Sequence, residues 1–93
     1  MRRNRSQNHR GGEVLNVRRM SREVALELLD RYMDRAVLNG LPGFRVLHGK
    51  GTGILKNAIQ EFLRKDARVS SFREGEPYEG DWGVTVVVMK EEV

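Results

Sequence analysis

Apolar residues recur along this chain at two spacings, and the spacings divide it into alternating strands and helices. Ala25, Leu28, Leu29, Tyr32, Ala36 and Val37 follow the three-to-four-residue interval of a helix with one buried face. Ser21 offers a hydroxyl to cap that helix, Asn39-Gly40 offers a left-handed stop, and Pro42 blocks continuation. Leu55, Ala58, Ile59, Phe62 and Leu63 repeat the pattern in a second helix. Strands are expected at Val14 to Val17, Phe44 to Leu47, Val69 to Phe72 and Val84 to Met89. The last is the strongest strand signal, because Val84-Thr85-Val86-Val87-Val88-Met89 is β-branched and free of glycine and proline. A polar loop, 74–83, precedes it, and no internal repeat is visible.

This β-α-β-α-β-β order implies an α/β fold. A strand, helix, strand sequence in a small domain predicts parallel strands joined by right-handed crossovers. The first three strands are therefore expected to run parallel, with the fourth returning antiparallel through the 74–83 loop. Two helices suffice for one sheet face only. The expected architecture is a two-layer sandwich, a mixed four-stranded sheet with both helices on one side.

Ninety-three residues give room for one domain, and a hydrophobic fraction of 39% is ordinary for a globular chain. No apolar run approaches the roughly 20 residues of a membrane-spanning helix. No secretory start is visible, and cysteine is absent, which excludes disulfides and thiolate metal sites. A cytoplasmic setting is expected. The net charge of +4 comes from one end of the chain. Of the 17 basic residues, Arg2, Arg3, Arg5 and Arg10 lie in 1–12, where there is no acid; the remaining 13 match the 13 acidic residues. Residues 1–12 are expected to be a disordered basic tail or linker, able to add salt-sensitive attraction to phosphates, and 13–93 to form the domain.

In open α/β sheets, ligands bind outside the carboxyl ends of the parallel strands. The segments expected there carry Arg18 and Arg19, the turn His48-Gly49-Lys50-Gly51-Thr52-Gly53, and the 74–83 loop. Glycines let a backbone approach a ligand closely, and a helix start attracts anions. The turn is either a phosphate seat, with Lys50 beside the amides of Gly51 to Gly53, or a tight connection with no ligand. Its spacing matches neither a Walker A loop nor a dinucleotide fingerprint. His48 is a candidate proton shuttle near neutral pH, or a structural hydrogen-bonding residue. Arg18 and Arg19 are candidates for bidentate phosphate contact. Glu76, Glu79 and Asp81 are either a seat for Mg²⁺ or Mn²⁺ or simply a soluble loop. Tyr78 and Trp82 offer rings to unpaired bases, with Trp82 alternatively a cover for the sheet end. Lys56, Arg64 and Lys65 read as an ordinary solvated helix face, and His9 has no expected role.

Taken together, these residues resemble the Smr (small MutS-related) domain. Leu15-Asn16-Val17-Arg18 resembles its first-strand motif, His48-Gly49-Lys50-Gly51-Thr52-Gly53 its glycine motif, and Gly80 to Val87 its closing strand. The resemblance covers roughly residues 13–90 and is closest to the domain at the C-terminus of bacterial MutS-like ATPases. It implies a fold like the C-terminal half of translation initiation factor 3. It implies an endonuclease that nicks DNA, often branched DNA, or cleaves RNA, and links to suppression of homologous recombination and to ribosome rescue. Under it, His48 is the acid–base group, Arg18 stabilises the transition state and Lys50 holds the phosphate. Arg19, Gly49, Gly51, Thr52, Gly53 and Trp82 complete the nucleic-acid contact. Three positions depart from the family pattern: its Asp falls on Asn16, its His on Arg18 and its Gly on Arg19. The alternative is a non-catalytic module that binds DNA, RNA or the ribosome within a MutS-like ATPase.

Overall fold

The computed structural model describes residues 13–91, so the expected tail at 1–12 lies outside the described residues. Four strands and two helices follow one another as β1 (Val14–Asn16), α1 (Arg22–Leu38), β2 (Gly43–Leu47), α2 (Ile54–Arg64), β3 (Val69–Glu74) and β4 (Val84–Met89). The polar 74–83 segment is folded into two short 3-10 turns, Pro77–Glu79 and Asp81–Gly83. Among the described residues no helix is long and apolar enough to cross a membrane.

The sheet order is β1-β2-β4-β3. β1 pairs parallel with β2, and β4 pairs antiparallel with both β2 and β3. The first three strands therefore share one direction, as expected. β2 and β3 are nevertheless not neighbours, because β4 lies between them. The physical reason lies in composition. β4 is the most apolar strand and gains most from neighbours on both edges, whereas β3 reads Val-Ser-Ser-Phe-Arg-Glu and tolerates a sheet edge.

Both helices cover one face, where Val17, Phe44, Val46, Ile59, Leu63, Val87 and Met89 are buried. From α1 the core takes Ala25, Leu29, Met33 and Ala36. Met33 joins the stripe and the expected Val37 is exposed, because the buried positions step by four from Ala25 through Leu29 to Met33 and then by three to Ala36. Ser21 caps α1 through its hydroxyl, which accepts from the Val24 amide at 3.2 Å. Arg68 fixes the far end of the sandwich by binding Asp66 at 2.7 Å and Asp30 and Asp34 of α1 at 2.7 and 2.8 Å. The opposite sheet face carries no helix and presents Val14, Arg45, Val86 and Val88.

Candidate nucleic-acid interface

Because β1 and β2 run parallel, the segments that leave them emerge at one end of the sheet, and β4 enters at that same end. Residues distant in sequence meet there. Arg18 lies against the glycine turn: a Cβ built on Gly49 would stand 3.4 Å from the Arg18 Cγ. Its guanidinium is steadied by Asn16, whose side-chain oxygen accepts from the Arg18 amide at 3.0 Å and from Arg18 Nε at 3.4 Å. Asn16 thus supplies an acceptor that an aspartate would also supply, without the charge. Arg19 adopts a left-handed backbone, φ 67°, at the position where the family pattern has glycine. Such a conformation is costly for a residue with a Cβ.

The 81–83 turn closes the rim from the other side. The Gly83 carbonyl accepts from the amides of His48 at 3.1 Å and Gly49 at 2.9 Å. Glycine at position 83 leaves room for that approach, since a Cβ there would stand 3.1 Å from the Lys50 Cγ and 3.4 Å from the Gly49 carbonyl carbon. The Lys50 ammonium meets the Asp81 carboxylate at 3.3 Å. Two ammonium groups lie close to the Trp82 ring, with Lys50 Nζ 5.6 Å and Lys56 Nζ 5.8 Å from its centroid. Thr52 accepts from the Ile54 amide at 3.3 Å and so secures the first turn of α2. A cleft of about 250 Å³ lies between the segment that leads into α1 and the start of α2, lined by Arg19, Arg22, His48, the glycines of the turn and Lys56.

His48 occupies the strand end as expected, but its ring turns inward rather than out to the rim, and only 6% of the residue is exposed. Nδ1 lies 3.0 Å from the Gly49 carbonyl oxygen, and Nε2 lies 2.9 Å from the Thr85 hydroxyl. A carbonyl oxygen only accepts, so the proton of the neutral ring sits on Nδ1. Nε2 then accepts from the Thr85 hydroxyl, which in turn accepts from the Gln60 side-chain amide at 3.0 Å. In the neutral ring this chain gives the Thr85 hydroxyl hydrogen an acceptor. A proton on Nε2 would make the hydroxyl rotate and accept from both Nε2 and Gln60, leaving its own hydrogen to find another partner inside the protein. Burial pushes the His48 pKa below the ordinary 6.5; the Gly49 carbonyl opposes this, and the nearby Lys56 charge reinforces it.

The acidic loop is dispersed rather than gathered. Glu79 binds both terminal nitrogens of Arg73, at 2.8 and 3.0 Å, and accepts from the Glu76 amide. The Arg73 partnership holds the Glu79 carboxyl down to about 2. Asp81 faces Lys50, so the three acids form no common set for Mg²⁺ or Mn²⁺. No group of three potential metal ligands occurs among the described residues. Tyr78 is also separated from the rim. It lies on the bare sheet face beside Arg45, Val86 and Val88.

Sequence reasoning missed Lys56, Gln60 and Thr85. Lys56 is not a solvated surface residue: its side chain is only 17% exposed, and its ammonium contacts the Glu74 carboxylate. The signal available in the sequence was spacing, since Lys56 and Gln60 stand one helical turn apart on the side that follows the glycine turn. Thr85 was detectable as the one polar residue in an otherwise apolar strand.

The family model described as the Smr domain matches residues 15–90. The chain belongs to the Smr domain family. It is 47% identical over 76 residues to the protein named Endonuclease MutS2 of Acetivibrio thermocellus and 51% identical over 76 residues to that of Thermomicrobium roseum. Each match covers 82% of this chain and 10% of the relative, so the chain spans about a tenth of the length of the curated relatives it matches. The crystal structure of the Smr domain of Thermus thermophilus MutS2 is 44% identical, with a TM-score of 0.82 covering 84% of this chain and 98% of that one. YdaL, a stand-alone small MutS-related protein from Escherichia coli, shares the fold at 21% identity, with a TM-score of 0.80 over 84% of this chain and 64% of its own.

Two expectations follow from this Smr rim. The ¹⁵N shifts of the His48 imidazole should report the Nδ1–H tautomer and a titration midpoint below 6.5. Stability should be fully present above that value and decline as the pH falls below it, because the unfolded chain takes up the proton first. A ring protonated on Nε2, or one that titrates above the ordinary value, would contradict the network. Second, Arg19→Gly should raise the unfolding free energy in urea by about 1 kcal/mol through relief of the left-handed backbone. A loss of stability would show that the Arg19 side chain repays that strain.

Proposed function

We propose that this Smr domain is the phosphodiester-cleaving module of a MutS2-like protein and nicks DNA, preferentially branched or structured DNA, with little sequence preference. The observation that carries this reading is the cleft in which Arg19, Arg22 and Lys56 surround the glycine turn, with Arg18 packed against Gly49. A phosphate in this cleft would meet turn amides, the start of α2 and several guanidinium groups without any base-specific contact. Hydrolysis adds water across one P–O bond and leaves a phosphate monoester and a hydroxyl. Arg18 and Lys50 oppose the negative charge that grows on the phosphorus oxygens during that addition. His48 serves by holding the turn from beneath, since both its nitrogens are occupied. The resemblance to relatives named endonucleases supports the same reading. Nicking of branched intermediates would account for suppression of homologous recombination by a longer ATPase parent in the cytoplasm.

A second reading is a non-catalytic module that holds DNA, RNA or the ribosome with the same rim. The inward His48 and the uncharged Asn16 favour it. Nicking of supercoiled plasmid separates the two. The wild type is expected to nick, and Arg18→Ala to lose about 100-fold, the scale seen when one transition-state donor is removed. The rate should stay flat from pH 5.5 to 7.5 if His48 only positions the turn. Activity that survives EDTA would exclude an essential divalent ion. A wild type that binds DNA but never nicks it would establish the binding module instead.

A further inference from the structure

Trp82 is the only tryptophan in the chain, and 42% of it is exposed although it is the largest apolar side chain present. It does not cover the core, where none of the buried residues is Trp82. It stands next to Gly83, whose carbonyl receives the His48 and Gly49 amides, so the backbone of its own turn is tied to the glycine turn by two hydrogen bonds. The Lys50 and Lys56 ammonium groups both lie within 6 Å of its ring centroid, inside the range of cation–π attraction. Their acidic partners, Asp81 and Glu74, are each about half exposed and can release them to a stronger anion.

From this juxtaposition we infer that Trp82, flanked by Lys50 and Lys56, is a seat for one unpaired nucleobase, with the lysines meeting the phosphates on either side of it. The inference rests on the nucleic-acid reading above and gives it a substrate feature. In a continuous duplex every base is stacked on its neighbours, and an indole at the rim meets only sugar and phosphate. At a bulge, flap or junction a base is free to leave the helix at little cost. The indole then offers it a new stacking surface, on a scale of about 1–3 kcal/mol per base. The seat therefore selects the disrupted site without reading sequence, because every base has a flat face.

The test uses the full 93-residue chain and two labelled DNA duplexes of equal length at one fixed salt concentration. One duplex is fully paired and the other carries a single-nucleotide bulge. Binding of the bulged duplex should quench the fluorescence of Trp82 more than binding of the paired one. The ratio of bulged to paired affinity should fall about 5- to 150-fold in Trp82→Ala, the change that loss of one stacked base produces. Trp82→Phe should restore most of that ratio. A bulged RNA that shows the same Trp82-dependent preference where DNA does not would keep the seat and assign it to RNA. Equal losses on both duplexes in Trp82→Ala, with the ratio unchanged, would overturn the stacking seat and leave the nucleic-acid reading standing. Failure of the wild type to bind either duplex or the RNA would overturn both.

Discussion

The hydrogen bond between Thr85 and His48 is the constraint on which the rim depends. It joins the strand with the strongest β pattern to the glycine-rich turn. Thr85 is fully buried in β4, and β4 is paired along both edges. His48 passes that rigidity to the Gly49 carbonyl, and Gln60 ties the same hydroxyl to α2. A turn of three glycines would otherwise sample many conformations and bind a phosphate at a large entropic cost. Here the order comes from the sheet. The cost of burying an imidazole, a hydroxyl and an amide is offset only because each finds a partner.

The rim departs from neutrality even though the folded part of the chain has equal numbers of basic and acidic residues. Most acids are committed elsewhere. Asp30, Asp34 and Asp66 hold Arg68, and Glu79 holds Arg73. Among the described residues, Arg18 and Arg19 join no ion pair of their own, and they stand where the strand ends converge. Arg19 keeps its place at a positive φ, the kind of local strain that collects at working surfaces. The proposed phosphate contact therefore rests on position, not on net charge.

Periodicity was enough to place both helices and all four strands, since each element carries its own apolar spacing. It was not enough to place β4 between β2 and β3. Strand order depends on which strand most needs two neighbours, and that comparison spans the whole chain. The rim was readable in Arg18, Arg19 and the glycine turn, because parallel topology brings strand ends together. The direction of the His48 ring was not readable. It is set by Thr85, thirty-seven residues away, and by Gln60 on the intervening helix. Tyr78 and Trp82 looked equivalent in one loop, yet two successive 3-10 turns send them to different faces.

The most direct test of the account is a map of contact by amide shifts. A ¹⁵N-labelled chain would be titrated with a short bulged DNA at two salt concentrations. The account predicts the largest changes at Arg18, Arg19, residues 49–53 and Trp82, and weaker binding at the higher salt as phosphate contacts are screened. Changes centred instead on Tyr78, Val86 and Val88, the bare face of the sheet, would place the interface on the wrong side of the molecule and contradict the account.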